Sequence, residues 1–205
     1  VGGEGRGTGC FCARADRFAR EVNQGFVRAA RASDAPELAR VQVASWRASF
    51  ADAVPDDVLA ELTSAAAEKQ WTGRWLEAIT TPPTSRHRVH VAVDDGKTSV
   101  TGFAAAGPAT DGDLWPATDA ELYELHVLPD VTGQGHGGRL LNAVADTLAE
   151  DGFRTAYTWA LSADGGRLEF LEAAGWAPDG SHSNLDMGVR VHVVRLHTWL
   201  SPEPG

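Results

Sequence analysis

Cysteine is almost missing from this sequence. The 205 residues hold two, Cys10 and Cys12, both close to the first residue. They lie too near one end to staple a fold, which excludes a disulfide framework. A redox or metal role for the C-x-C pair ranks behind a simpler reading, a reduced cytoplasmic chain. Long apolar runs are missing too. No window approaches the roughly twenty uninterrupted apolar residues that a membrane-crossing helix needs, so no membrane partner is expected. The first residues have no apolar core run and do not read as a secretory signal. Basic charge is in deficit: 18 Lys and Arg against 28 Asp and Glu leave a net charge of −10. Nucleic-acid affinity needs a basic footprint, so no nucleic-acid partner is expected. The acidic balance mildly favours a cationic or amine partner. No internal repeat or low-complexity block interrupts the chain. With 43% apolar residues, what remains is one soluble globular core with tails.

Read in order, residues 1–24 are rich in Gly, Arg and Ala without period, a disordered tail with room for a short helix over Asp16 to Val22. A first strand is expected over Gly25 to Ala30. Ser33 or Asp34 then caps a helix, with Pro36 in its first turn and Glu37 completing an x-x-E spacing from Asp34. Pro55 opens a further helical stretch anchored by Leu59, Leu62, Trp71, Trp75 and Ile79, with a break near Thr63-Ser64 or Gly73. Val89, Val91 and Val93 alternate as a half-buried strand. Asp94-Asp95-Gly96-Lys97 is a hairpin signal, and Val100 to Gly107 is the return strand. Glu121 to Leu128 is a strand stopped by Pro129. From Arg139, the apolar residues Leu140, Leu141, Val144, Ala145 and Leu148 follow helix spacing up to a stop at Gly152. Arg154 to Trp159 is a strand, Asp164 to Ala174 a helix stopped by Gly175, and Trp176–Gly188 and Val189–Trp199 are two last strands. Residues 201–205 form an exposed tail. This order is an α+β layout with a mixed sheet.

Between the Glu121 strand and its helix lie Gly133, Gly135, Gly137 and Gly138. Glycines there let backbone N–H groups approach a bound group, and the helix N-terminus adds a positive dipole end. That is an anion cradle suited to phosphate. Gly133, Gly135 and Gly138 also satisfy G-x-G-x-x-G, the dinucleotide fingerprint. The context disfavours it. Five residues separate the strand from Gln134, and the next strand ends Thr158-Trp159-Ala160-Leu161 without the acid that would hold a ribose.

The run Val127-Leu-Pro129-Asp-Val-Thr132-Gly-Gln-Gly135-His-Gly137-Gly-Arg-Leu140-Leu141 resembles the acetyl-CoA motif of the GNAT superfamily of N-acetyltransferases. That motif is a strand ending V-x-P, then Q/R-x-x-G-x-G/A, then a helix. Thr132 stands where Gln or Arg is usual. Arg167-Leu-Glu-Phe170-Leu171-Glu172-Ala-Ala-Gly175-Trp176 resembles the family's later F-Y-E-x-x-G-F helix, and the two motifs come in the family's order. The resemblance implies a GNAT-like domain over residues 25–200, with a mixed central sheet flanked by helices. It implies acetyl-CoA as co-substrate, no metal, and an amine acceptor on a small molecule or protein, and it allows a homodimer. It assigns the co-substrate to His126, Val127 and Leu128, whose backbone polarises the thioester, and to Thr132, Gly133, Gln134, Gly135, His136, Gly137, Gly138, Arg139 and Asp164. Asp164 stands where the family carries Asn. The early helices form the acceptor wall in such proteins, so Trp46, Phe50 and Trp75 are candidates for it, against plain core packing.

Acetyl transfer to an amine needs an oriented donor, a base and a stabilised oxyanion. Glu121 falls at the family's glutamate position, and Glu124 is the second candidate base. Strand alternation puts Glu121 on a face with Tyr123 and Glu124 on the other with His126. His126 is either a third candidate or a polar strand residue. No metal-ligand spacing recommends a zinc site from His126, His136 and Glu124. The tyrosine that many relatives place in the later helix is Leu171 here, leaving Tyr157 or water as proton donors to the thiolate. A non-catalytic acyl-CoA-binding domain on the same fold is the competing reading, suggested by Leu171 and Thr132.

Overall fold

The computed structural model describes residues 25–94 and 99–200. The terminal tails with Cys10 and Cys12, the short helix at Asp16 to Val22, and most of the Asp94–Lys97 turn fall outside the described residues. Seven strands form one mixed sheet: β1 (Phe26–Ala29), β2 (Arg88–Val93), β3 (Val100–Pro108), β4 (Asp119–Val127), β5 (Thr155–Leu161), β6 (Ala177–Asp186) and β7 (Arg190–Trp199). Their spatial order is β1-β2-β3-β4-β5-β7-β6. Every pairing is antiparallel except β4 with β5. The helices are α1 (Ala35–Ser49), α2 (Asp56–Leu62), α3 (Ala65–Thr80), α4 (His136–Glu150) and α5 (Gly165–Ala173). A parallel neighbour needs a crossover, and α4 supplies it between β4 and β5.

The sheet is covered on both faces. On one, α4 buries Leu140, Leu141, Val144, Ala145 and Leu148, together with Leu171 of α5. These are the α4 residues its helical spacing singles out. On the other face, Leu38, Ala39 and Val41 of α1 meet Trp75 of α3 over Val91, Val93 and Phe103. The break in the early helical stretch falls at Thr63-Ser64, where the Ser64 hydroxyl accepts from the Ala67 N–H (3.1 Å) and starts α3. Gly73 stays within α3. Gly152 (φ 84°) and Gly175 (φ 95°) follow α4 and α5 in the left-handed region, as stop glycines do.

Two local expectations need correction. Asp34 occupies the N-cap position of α1, but its carboxylate does not cap that helix. It accepts instead from the Arg28 guanidinium (2.7 and 2.9 Å) and from the Arg31 N–H (2.7 Å), the start of a 3-10 turn over Ala32–Asp34. Glu37 pairs with Arg40. A charged fork offered by β1 outcompetes neutral backbone donors. The second correction concerns β4. Ala105 and Ala106 of β3 pair with Glu124 and Leu122, so Tyr123 is an extra residue, a β-bulge. The bulge resets the alternation. Ala120, Leu122 and Leu125 all join the α4-side core. Glu121, Glu124 and His126 therefore share the opposite face. The expectation that the two glutamates face opposite ways is overturned by one inserted residue.

The Arg28 pair locks β1 to the start of α1. Its hydrogen bond from Arg28 holds the Asp34 carboxyl below the usual carboxylate range. A depressed folded value means the contribution is full above about pH 4, the unfolded value. It fades as pH falls through the folded value. Replacing Asp34 by Ala should cost about 2–3 kcal/mol at pH 7, and the gap between parent and variant in urea melts should narrow below pH 4. An equal gap at pH 7 and pH 2.5 would contradict the assignment.

Candidate active site

The site begins where β4 and β5 part. Their ladder runs only over Asp119–Glu121 against Thr155–Tyr157. Just beyond it the Thr158 hydroxyl donates to the Leu122 carbonyl (2.9 Å). Further along, Arg167 of α5 spans the gap, its guanidinium donating to the Leu125 carbonyl (2.9 Å). The Leu128 N–H is bonded back to Thr101 of β3. Backbone groups alternate between the two sides of a strand. Leu125 and Val127 therefore turn theirs toward the gap, while those of His126 and Leu128 serve the ladder with β3. Of the three backbone positions expected to hold the co-substrate, Val127 is the one whose amide turns toward the gap.

β4 leads into a 3-10 turn, Pro129–Val131, and then the glycine loop. Gly133 and Gly135 both have φ of 81°, a backbone that side chains resist. Gly135 is the N-cap of α4, and no side chain caps that helix among the described residues. The first intrahelical bond is Arg139 N–H to the Gly135 carbonyl (3.1 Å). The N–H groups of His136, Gly137 and Gly138 precede it and have no partner in the helix, by the geometry of any helix start. Gln134 is different: its N–H is used by the Val131 carbonyl. Space is cleared as well as donors. A side chain at Gly133 would meet nothing within 4 Å, whereas one at Gly137 would come within 3.1 Å of the Phe170 ring. Gly137 thus lets α5 close on α4.

This loop lines a cavity of about 630 Å³, bounded by Val127, Thr132, Gly133, Gly135, His136, Gly137, Gly138, Asp164, Arg167 and Phe170. Leu128, Gln134 and Arg139, also expected at the co-substrate, do not line it. The His136 side chain is buried away from solvent (1% exposed). Its Nδ1 accepts from Arg139 (3.0 Å), and its Nε2 faces Asp94 at 3.6 Å. Burial, then the Arg139 charge, push this imidazole below its ordinary value, with Asp94 opposing. The His136 ring, also 3.1 Å from the Thr101 hydroxyl, and Arg139 therefore brace the helix start against β3.

A second cavity, about 300 Å³, lies on the α1 side of the gap. The two share Ser49, Asp164 and Arg167, so they meet across the gap. Glu124 and His126 line the second. His126 Nε2 is 2.6 Å from Glu124 Oε2, and its Nδ1 is 3.0 Å from the Ser45 hydroxyl, giving a Ser45–His126–Glu124 chain. Glu121 lies outside both cavities, its carboxylate accepting from the N–H (3.0 Å) and hydroxyl (2.6 Å) of Thr110. The Asp164 carboxylate caps α5 by accepting from the Arg167 N–H (3.0 Å). Arg167 is the one lysine or arginine on either cavity among the described residues. Burial pushes its guanidinium below the ordinary value, and Glu124 and Asp164 pull it back.

Tyr123 lines the second cavity but its proton is committed, and Tyr157 lies away from both cavities. The Tyr123 hydroxyl donates to the Pro108 carbonyl (2.5 Å), and burial, reinforced by Glu121, raises it well above the usual phenol. Burial also raises Tyr157, which stacks on His197 outside both cavities. Of the aromatic candidates, Trp46 and Phe50 line the second cavity. Trp75 does not: it is core, packed edge-on to Phe103 with its indole N–H on Gln42 (2.8 Å). Sequence reasoning missed Ser45, Ser49, Trp159 and the role of Arg167. Ser45 and Ser49 are four apart on α1, a shared-face signal that was there to read. So was the apolar step of three from Leu122 to Leu125 that betrays the bulge.

The acetyltransferase (GNAT) family model matches residues 54–176, from the α1–α2 loop to the residue before β6. The uncharacterized N-acetyltransferase YuaI of Bacillus subtilis (strain 168) is 33% identical over 135 residues, 66% of this chain and 70% of that protein. PaiA N-acetyltransferase from Thermoplasma acidophilum, solved in complex with coenzyme A, matches with a TM-score of 0.63 at 14% identity, over 84% of this chain and 98% of that one. YncA from Salmonella typhimurium, solved with its cofactor acetyl-CoA, matches with a TM-score of 0.63 at 16% identity, over 89% and 98%. The structural likenesses establish the fold. The family match covers the glycine loop, the parting strands and α5 together, and on it the chain belongs to the acetyltransferase (GNAT) family.

Proposed function

We propose that this chain transfers an acetyl group from acetyl-CoA to a primary amine by direct attack, with both substrates bound together. The observation that carries the reading is the pair of cavities meeting at Ser49, Asp164 and Arg167 across the gap between β4 and β5. One has the glycine-loop cradle suited to a pyrophosphate and the other has the carboxylate of Glu124. Acetyl-CoA suits the first: it brings an activated thioester carbonyl on a long arm ending in phosphates. The N–H groups of His136, Gly137 and Gly138 are free to hold the pyrophosphate, and the α4 dipole favours its charge. The gap admits an extended arm beside β4, and the Val127 N–H is the donor positioned to polarise a carbonyl there.

Glu124 is the proposed base. It lines the acceptor cavity, and its Oε2 is fixed by His126, which Ser45 holds in turn. That arrangement supports Glu124 taking the proton from the amine. Glu121 is committed to Thr110, which favours a role in fixing the β3–β4 loop. The leaving group needs modest help, because a thiol with a pKa of about 8.5 departs readily as thiolate near neutral pH. Arg167, the cation that lines both cavities, is the proposed partner for that departing charge. The position that carries Tyr in many relatives is Leu171, fully buried in the core. That burial is what favours the competing reading, a non-catalytic acyl-CoA-binding domain, and release of free thiol in the presence of amines separates the two. No helix among the described residues is long and apolar enough to cross a membrane, and a cytoplasmic location is part of the proposal.

Two experiments check these assignments. Gly135→Glu forces a side chain into a left-handed backbone and a negative charge into the cradle. Acetyl-CoA binding by calorimetry should be lost while the circular dichroism spectrum is kept. Unchanged affinity in a folded variant would sink the cradle assignment. Glu124→Gln should lower kcat by about 10² to 10⁴ with acetyl-CoA affinity little changed, and the acidic limb of the rate profile should flatten. Glu121→Gln should stay within a few-fold of the parent. The reverse ranking would return the base to Glu121.

A further inference from the structure

We infer that the acceptor is a monoamine carried on a flat apolar body, such as an aromatic ring on a short alkyl stem. It is not a polyamine or an amino sugar. The inference rests on the acetyl-transfer reading and goes beyond it, from the reaction to the substrate. The acceptor cavity has a volume of about 300 Å³, at the low end for small-molecule sites. Its walls are mainly rings and alkyl groups: Trp46 and Phe50 from the end of α1, Trp159 from β5, and Leu185 and Met187 from the β6–β7 hairpin.

These rings are held in place before any ligand arrives. Trp46 stands edge-on to Phe50 (centroids 6.1 Å) and to Trp71 (5.1 Å), and the Arg74 guanidinium covers the outer face of that chain, 4.6 Å from the Trp71 centroid. On the opposite wall the Trp159 indole donates to Asp111 Oδ2 (3.0 Å). Arg195 holds that same oxygen at 2.9 Å and also binds Asp113 and Asp179. An aromatic wall fixed on both sides presents apolar area at little entropic cost, and its faces attract an ammonium before deprotonation.

The charges agree. Glu124 is the carboxylate available to a cationic head. Asp164 is spent on the α5 cap and stands beside Arg167. Asp111, Asp113 and Asp179 are drawn to Arg195 behind Trp159 and do not line the cavity. A second ammonium would find in the cavity only Asp164, which already caps α5 and faces the Arg167 guanidinium, and the hydroxyls of a sugar would lose water for few partners. The exposed Leu185 (45%) at the rim gives an apolar body somewhere to extend.

The test uses the whole chain with acetyl-CoA and four probes: 2-phenylethylamine, spermidine, glucosamine and a decapeptide with a free N-terminus. Thiol release should favour 2-phenylethylamine in kcat/KM by roughly 10²-fold, the scale on which pockets discriminate apolar bodies. Trp159→Ala should raise its KM roughly tenfold, while Trp159→Phe stays within a few-fold, which separates loss of the ring from loss of the fold. Efficient use of spermidine, glucosamine or the peptide would overturn this inference and leave acetyl transfer standing. Calorimetric binding of 2-phenylethylamine without turnover of any amine would support the cavity assignment and overturn the transferase reading. Neither binding nor turnover of 2-phenylethylamine would overturn the inference itself.

Discussion

The parting of β4 from β5 is the constraint on which the rest of this molecule depends. A sheet with a continuous ladder here would spend every backbone group of β4 on its neighbours and leave none for a ligand. The ladder stops after Glu121 and Tyr157. Beyond it the strand's edge is met by side chains: Thr158 on the Leu122 carbonyl and Arg167 on the Leu125 carbonyl. Buried backbone groups demand partners, and these two satisfy the carbonyls without closing the gap. The opening is therefore a stable feature of the folded chain. The Val127 backbone remains turned toward it, on the wall of the first cavity.

The bulge at Tyr123 is the second device, and it acts on side chains as the parting acts on the backbone. Without it, Glu124 and His126 would point to the α4 core and Leu125 to the cleft. With it, the core keeps Leu122 and Leu125, and the cleft receives a carboxylate and an imidazole two residues apart. The glycine loop then sets the third element. Two left-handed glycines turn the chain so that α4 begins facing the cavity with its end uncapped. A net charge of −10 disfavours anions over most of the surface, so the binding of phosphate has to be local, from dipole and N–H groups.

Much of this was legible in the sequence, for reasons that differ by element. α4 shows because an amphipathic helix against a flat sheet must repeat its apolar residues every three to four positions, and Leu140 to Leu148 do. The loop shows because positive φ leaves few alternatives to glycine. The choice between the glutamates was hidden, because alternation assumes an unbroken ladder and a bulge adds one residue without changing composition. Its trace, apolar residues at Ala120, Leu122, Leu125 and Val127, is visible once the step of three is weighed. The fate of Asp34 was hidden for another reason: its partner Arg28 sits on a strand six residues earlier, and local capping rules do not see it. Arg167 reads as an ordinary helix residue until the gap it spans is known.

The central claim is that the backbone of one strand end and one helix start holds the co-substrate. Amide hydrogen exchange, measured with and without coenzyme A, tests it most directly. The account predicts slowed exchange at Val127, His136, Gly137 and Gly138, with little change in β6 or α3. Protection confined to other segments, or none in these amides at saturating coenzyme A, would contradict it.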